Sequence, residues 1–540
     1  MGVWSVMTRF IKGWLNGKPN GSEPELIPKY LPLIPDNQKE WSKDSYLTSL
    51  WAQGYVPTVH DKLMNSGTGN EIVVVAAEYI SGKPLSIDVT GVNGSKDENL
   101  TKQLKEALRI DNFDSKSVKI VELAGGSGVS AVKINILNGR PSLSVHSSSQ
   151  FWIDFKNNEP FRFNFFEEIP TSNKADIYYL VESREIKQWD KEGKKSSGGF
   201  VTYSVIKIDG DKTTPISAER LPEQITSYLH TNDIQLNHSV SIGLKSMGAY
   251  LINNSPSNTR YPHLNLGESD LSQCTNYLFA VDYFFTVYMR EGEKTKTKIA
   301  ASERMFRKKV NKSTDKEEWS MNVDEDYFMQ FKGTLDAGAK LNDMIQFMQG
   351  DFRDGSYRET MEYFAQKAVS KSGYNPATFN LGNREVKATE IWSLQDATVR
   401  KIEKKKRLIQ NVYEQMLWDY LYLLTSGAKN KEKAIMRDEI RVIIEFPDPM
   451  SVNLNELSST LNNMNSALAM SVEEKVKLIH PKWEDEEIQA EVKRIYLENA
   501  IGEVPDPEAI GGMETKGGTP RLKTKSGYYL TANTKFVKKI

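Results

Sequence analysis

The sequence predicts an α+β protein of more than one domain, and three observations carry that expectation. Between residues 71 and 208 short apolar runs alternate with turn residues, the pattern of a mostly antiparallel β module. From Leu271 onward the apolar period changes from two to that of a helix. At 540 residues, with 39% hydrophobic and 26% charged, the chain can bury more than one core and is too apolar for general disorder.

The N-terminal stretch sets Trp4, Met7, Phe10, Ile11, Trp14 and Leu15 at helical spacing, with Arg9 and Lys12 between them. An arm packed on its own body or on a neighbouring subunit fits this better than a helix lying on a membrane surface. Myristoylation at Gly2 is discarded, because Val6 stands where Ser or Thr is required. A connector over 16–35 and a stretch of short helix and loop to Ser66 follow. Strands are expected at 71–80, 117–123, 130–137, 143–145, 151–155, 161–166, 177–185 and 200–208, with one helix at 100–109. Asn138-Gly139 is the strongest two-residue hairpin signal.

Beyond Gly267, the residues Leu271, Cys274, Leu278, Val281, Phe284 or Phe285, and Tyr288 form one apolar helical stripe. A polar, lysine-rich insertion runs from 291 to 353, strand-like at 297–300 and 327–331. A second helix places Tyr357, Met361, Phe364 and Ala368 on one face and ends at Lys371-Ser372-Gly373. The longest helix starts near Ala388 and reaches Thr425, with Ile391, Leu394, Ile402, Ile409, Val412, Met416, Tyr420 and Leu423 on one side. At about 1.5 Å per residue it exceeds 50 Å. A strand at 441–446 leads through Pro447 and Pro449 to a last helical domain, where Leu454, Leu457, Leu461, Met464 and Leu468 recur at spacings of three and four. Ser471 with Glu474 is a capping-box start. The tail beyond Met513, rich in Gly, Thr and Lys, is expected to be disordered.

Several chemistries find no support. Lys and Arg number 70 against 71 Asp and Glu, so no broad basic surface is on offer to a nucleic acid. Cys274 is the only cysteine and falls in an apolar run, as a small buried residue would. The six histidines are scattered without ligand spacing. The glycines of 124–128 are expected in a tight turn or bulge between strands rather than in a phosphate loop. Gly17-Lys18 runs into Pro19, which a Walker loop does not allow. The acids of 484–487 suit the first turn of a helix and need no metal. No signal peptide and no bilayer-length apolar run is visible. The expectation is a non-enzyme without cofactor or metal.

Four stretches, in order, resemble the portal proteins of tailed bacteriophages, most closely those of phages of Gram-positive bacteria. The first is Gly125-Gly126 and a hairpin, then Gln150-Phe151-Trp152-Ile153-Asp154 and Tyr178-Tyr179-Leu180-Val181-Glu182. The second is Leu266-Gly267-Glu268-Ser269-Asp270, entering the helix with Asp282, then Arg290-Glu291 and Lys298-Ile299. The third is Arg353, Tyr357, Ser372-Gly373-Tyr374-Asn375-Pro376-Ala377-Thr378-Phe379 and Lys387-Ala388-Thr389-Glu390-Ile391. The fourth is Phe446-Pro447-Asp448-Pro449, with His480-Pro481 between the helices beyond it. The string Val386-Lys387-Ala388-Thr389-Glu390 lacks the family's first threonine, and Gly350-Asp351-Phe352 replaces its proline before Arg353.

The resemblance implies a portal-like architecture. It comprises an arm over 1–66, a β-rich wing over 67–266, stem helices at 267–291 and 354–372, and a clip at 292–353 between them. A tunnel loop at 373–387, a long wing or tunnel helix at 388–426, a helical crown at 427–512 and a flexible tail at 513–540 complete it. The family forms a ring, usually of twelve, at one capsid vertex of the virion after assembly in the host cytoplasm. Implied partners are the terminase large subunit, head-completion or adaptor proteins, and major capsid and scaffolding proteins. Double-stranded DNA would pass through without sequence specificity, and no membrane is involved. Residues expected to face DNA are Tyr374, Asn380, Asn383, Arg384 and Lys387 in the tunnel loop, with Lys401, Lys404 and Lys405 on the long helix. The band from Arg400 to Arg407 has an equal alternative, a solvated or intersubunit face paired with acids. Arg307, Lys308, Lys309, Lys312 and Lys316 at the clip tip would meet the packaging motor. The competing functions are another head–tail connector or minor capsid protein, then a DNA-processing enzyme, which would need the nucleotide loop or carboxylate–metal site that is not found.

Overall fold

The computed structural model describes residues 27–57, 63–91, 93–137, 139–171, 176–191, 194–295, 298–302, 308–310, 317–319, 328–331, 345–348, 353–379, 381, 388–426, 440–447, 462, 470–480, 483, 485–498, 522–523, 528–530 and 536–538. The chain divides into two units at Pro449 and Met450.

In the first unit, helix α1 (Asp36–Ala52) starts with Asp36 in its first turn, favourable to the helix dipole, and buries Trp41 and Trp51. Helix α2 (Thr68–Ser81) lies where a strand was expected over 71–80. Its run of β-branched residues suggests a strand, yet the buried set Ile72, Val73, Ala76, Ala77 and Ile80 repeats at helical spacing. Strand β1 (Ser86–Gly91) and helix α3 (Glu98–Ile110) follow, the latter capped by Asp97, whose side chain accepts from Leu100 N.

Helix α4 (Phe113–Ser127) replaces the second expected strand and buries Ser117, Ile120, Val121 and Ala124. The glycine-rich stretch is its last turn rather than a bulge between strands. Gly128 closes it at φ +96°, donating its N–H to Ala124 O.

Strands β2 (Val129–Leu137) and β3 (Arg140–Ser147) form the hairpin that Asn138-Gly139 predicts. Next come β4 (Phe151–Lys156), β5 (Glu159–Ile169), β6 (Ile177–Lys191), β7 (Lys194–Asp209) and β8 (Lys212–Ile216), which pair with one another in that order, all antiparallel, in a second sheet. Helix α5 (Glu223–Thr231) precedes β9 (Ser239–Ser241), which pairs with β7, and β10 (Ala249–Asn253), which pairs with β2. The two sheets meet through Val129, Ala131 and Ala249 on one side and Phe151, Ile153, Phe163 and Phe165 on the other. The β module is therefore antiparallel, as expected.

Helix α6 (Thr275–Lys294) and helix α7 (Asp354–Lys371) pack side by side. Phe284 stacks on Phe364 at 5.7 Å, Tyr288 OH donates to Asp354 Oδ1 at 3.0 Å, and Arg353 Nε donates to Glu291 Oε1 at 3.1 Å. Between them β11 (Lys298–Ser302) takes β14 (Phe328–Phe331) in parallel and β15 (Ile345–Met348) antiparallel, and β12 (Lys308–Val310) pairs with β13 (Glu317–Trp319).

Helix α8 (Ala388–Ser426) has 39 residues, about 58 Å of rise. Ile402, Ile409, Tyr413, Met416, Leu417 and Tyr420 share the main core with α2, α4 and β1. Strand β16 (Ile440–Glu445), assigned by sequence to the last domain, pairs with β1 and so ties this part of the chain back to the beginning.

In the second unit, helix α9 (Val472–Ile479) begins at Ser471, whose Oγ accepts from Glu474 N, and helix α10 (Asp485–Glu498) joins it through Val476, Ile488 and Val492. The tail expected to lack structure carries three antiparallel strands, β17 (Leu522–Lys523), β18 (Tyr528–Leu530) and β19 (Phe536–Lys538). The leucine repeat of 454–468 lies outside the described residues. Among the described residues no helix is long and apolar enough to cross a membrane, and no group of His, Cys, Asp or Glu is arranged to hold a metal.

Candidate functional site

Two glycine-bearing segments, distant in sequence, touch backbone to backbone. A side chain at Gly267 would stand 2.5 Å from Gly128 O, and one at Gly128 would stand 2.7 Å from Gly267 O. Only glycine permits that approach. The contact is then closed by hydrogen bonds: Asp270 N donates to Gly125 O at 2.9 Å, and Ser269 Oγ lies 2.8 Å from Gly126 O. The glycines of 125–128 therefore seat the entry to α6.

That seating places Asp270 in the interior, where it organises a joint between three helices. Its Oδ1 meets Lys401 Nζ at 2.7 Å, and its Oδ2 meets Lys405 Nζ at 2.5 Å. Tyr374 OH donates to Oδ2 at 3.0 Å, and Asn254 Nδ2 donates to Oδ1 at 3.2 Å. Burial pushes the Asp270 carboxyl up, but Lys401 and Lys405 outweigh it and hold the carboxyl well below its usual range. Burial, with repulsion from Lys401, lowers Lys405 to about 8 against the pull of Asp270. Lys401 also donates to Ser372 O and lies 4.1 Å from the Tyr374 ring centroid.

This corrects the sequence reading of Tyr374 and Lys405 as groups facing DNA. They are 3% and 4% exposed, held by Asp270. The resemblance implies a tunnel loop from Gly373. Gly373 does end the helix at φ +83°, but Tyr374 and Phe379 are both buried and fix its first half. Asn380, Asn383, Arg384 and Lys387 lie outside the described residues, as do Arg307, Lys312 and Lys316. Lys308 and Lys309 are placed in β12, in register with Trp319 and Glu318. Lys401 is partly exposed, and Lys404 is exposed beside an open cleft of about 460 Å³. Lys406, also in the basic band, is buried and donates to Pro447 O at 2.9 Å.

Two further carboxylates organise the interior. Asp282, the acid of the α6 motif, accepts from Trp51 Nε1 at 3.0 Å and Ser66 N at 2.8 Å. Glu182 on β6 accepts from Lys133 Nζ at 2.5 Å and Arg184 Nε at 2.6 Å. Cys274 is buried as expected, and burial pushes its thiol up to about 12, which leaves it protonated and unreactive at neutral pH. Among the described residues the joint assembles no nucleophile with a base.

No family model matches the chain. A stretch of 32 residues is 91% identical to the L-alanyl-D-glutamate peptidase of Listeria phage A118, covering 6% of this chain and 11% of that protein. The chain thus spans about a tenth of the curated relative it matches. Among solved structures it is similar to a chain titled as the virion of a native gene transfer agent particle, with TM-score 0.41, 13% identity, and 87% and 98% of the two chains covered. A second, titled as the neck of an empty gene transfer agent particle, has TM-score 0.42, 12% identity and the same coverage.

Proposed function

We propose that this chain is a phage portal subunit, which assembles into a ring at one capsid vertex and conducts DNA in packaging and ejection. The observation that carries the reading is the helix pair α6 and α7, joined along their length and separated by an insert with its own strands. In one chain such a pair gives the insert no packing role for the main core. In a ring it forms a wall that displays the insert at one rim. The 39-residue helix α8, beginning shortly after α7, supplies a second element long enough to cross an assembly.

The net charge of −1 suits a conduit, because firmly neutralised phosphates would add salt-dependent affinity and hence drag. The 32 residues nearly identical to a segment of a Listeria phage protein are in keeping with a phage source. In this reading the insert, with Lys308 and Lys309, docks the terminase motor and later a head-completion protein, and the chain is a structural component and not an enzyme.

The test is a packaging assay on two variants. Lys308→Glu with Lys309→Glu leaves rings intact and weakens terminase binding, most at low salt. Deletion of 380–385 leaves heads assembled but poor at packaging or retaining DNA. Normal terminase binding at low salt, together with normal packaging in the deletion, would contradict the proposal.

A further inference from the structure

An open groove of about 1060 Å³ lies between one face of α3, the tip of the β2–β3 hairpin and the last turns of α8. Ile110, Leu137 and Leu424 give it an aliphatic lining over Tyr420. Ile110 and Leu137 are 56% and 58% exposed, and two large aliphatic side chains left so open at one place mark a surface that a partner covers. The acids of the lining are already engaged. Glu106 accepts from Arg109 Nη2 at 2.8 Å, and Asp111 accepts from Lys116 Nζ at 2.7 Å and Leu143 N at 2.8 Å. The bases are not: Lys102 and Arg140 are exposed, and among the described residues neither makes a hydrogen bond or an ion pair. We propose that this groove docks an acidic amphipathic helix of a partner protein, its apolar side chains on Ile110, Leu137 and Leu424 and its carboxylates on Lys102 and Arg140.

Three observations narrow the occupant. The face of α3 that lines the groove runs from Asn99 to Ile110, about 16 Å of rise, which matches about three turns of a helix laid along it. The free charge at the rim is positive, so it attracts carboxylates and repels bases. The chain's own N-terminal stripe of Trp4, Met7, Phe10 and Trp14 is therefore a poor fit, because Arg9 and Lys12 accompany it and no acid precedes Glu23. A nucleic acid fits no better. Two free cations offer few phosphate contacts, and Tyr420 is only 2% exposed, which leaves no ring face for a base. The groove is built within one chain and does not depend on the ring reading.

The experiment uses the full-length chain and three labelled probes: a helical model peptide of leucine and glutamate, its leucine and lysine counterpart, and a short DNA duplex. Binding is followed by fluorescence anisotropy. The glutamate peptide is expected to bind more tightly than either other probe. Ile110→Gln with Leu137→Gln should weaken it about tenfold or more, since the aliphatic lining is lost. Lys102→Glu with Arg140→Glu should shift the preference to the lysine peptide. All four side chains are exposed, so thermal melting and particle mass should stay as in wild type. Val240→Gln, at an exposed apolar residue of β9, should leave the affinity unchanged. The proposal is overturned if wild type does not bind the glutamate peptide, if either groove pair binds it as wild type does, or if Val240→Gln weakens it equally. Tighter binding of the duplex overturns the assignment to a protein partner. A changed particle mass in the Ile110 and Leu137 variant would make the groove a contact between copies, and overturns that assignment too. Mass is read separately from binding, so a wild type that forms no ring but keeps its peptide selectivity would sink the ring and leave the groove standing.

Discussion

Two buried clusters of one acid and two cations hold the first unit together, and they are built differently. In the β module, Glu182 bridges Lys133 and Arg184, and Arg184 spends its remaining donors on Ile134 O, Gly248 O and Asn135 Oδ1. Arg184 thus has acceptors apart from the acid, Lys133 lies 4.9 Å from the Phe165 ring centroid, and burial of Glu182 is outweighed by Arg184 and Lys133, which lower its carboxyl. In the helical joint, among the described residues, Asp270 is the acid that bridges Lys401 and Lys405, and Lys405 also donates to Tyr374 OH. In the sheet clamp Arg184 is tied to two backbone carbonyls, whereas in the helical joint, among the described residues, Lys401 has one, Ser372 O, Lys405 has none, and the joint opens onto a cationic cleft. A guanidinium tied to backbone carbonyls tolerates the loss of its acid better than a buried ammonium that rests mainly on that acid.

The largest expected effect follows directly. Asp270→Asn leaves two lysines without a counter-charge and should cost about 3–5 kcal/mol by chemical denaturation. Glu182→Gln leaves Lys133 without its counter-charge but keeps Arg184 on its carbonyls, and should cost less, about 1.5–3 kcal/mol. Equal losses would break the comparison.

Acid separates the two clusters next. His146, packed on Phe165 beside the sheet clamp, is lowered by burial to about 4 from 6.5. It is neutral when folded, so the unfolded chain binds the proton first, and stability falls as pH drops from 6.5 to 4, by about 3 kcal/mol in all. His146→Gln should flatten that window. The contribution of Asp270 is present above its ordinary value of 3.8 and is lost only as pH falls below it, so Asp270→Asn should leave the window from 6.5 to 4 unchanged.

Gly267→Ala forces its Cβ against Gly128 O and should cost about 1–3 kcal/mol, by opening the seat that places Asp270. The smallest effect is that of Lys404→Gln, exposed at the cleft rim, which should stay within about 0.5 kcal/mol of wild type.

Much of this organisation was legible in the sequence, and the exceptions share a cause. Amphipathic helices such as α3, α6 and α7 announce themselves by period, and Asn138-Gly139 announces its hairpin. Helices α2 and α4 do not, because each carries a run of Val and Ile (Ile72–Val75, and Val118, Ile120 and Val121), where strand propensity and helical period conflict. A closer signal was available: Ile72, Val73, Ala76, Ala77 and Ile80 keep the helical spacing. The glycines of 125–128 were visible, but their purpose was not, since Gly267 lies far along the chain. The same holds for the joint. Lys401 and Lys405 sit four apart and share a helix face, yet no local pattern says that Asp270 lies beneath them. Long-range ion pairs leave no periodic trace, so a basic band looks alike whether it faces solvent, a ligand or the core.

The central claim, a ring-forming conduit, is tested most directly by native mass measurement of the purified chain across a broad concentration range, with electron microscopy of the same sample. The account predicts one closed assembly of fixed copy number, about twelve by the family resemblance, with an open channel along its axis. Monomers or dimers at every concentration would contradict it.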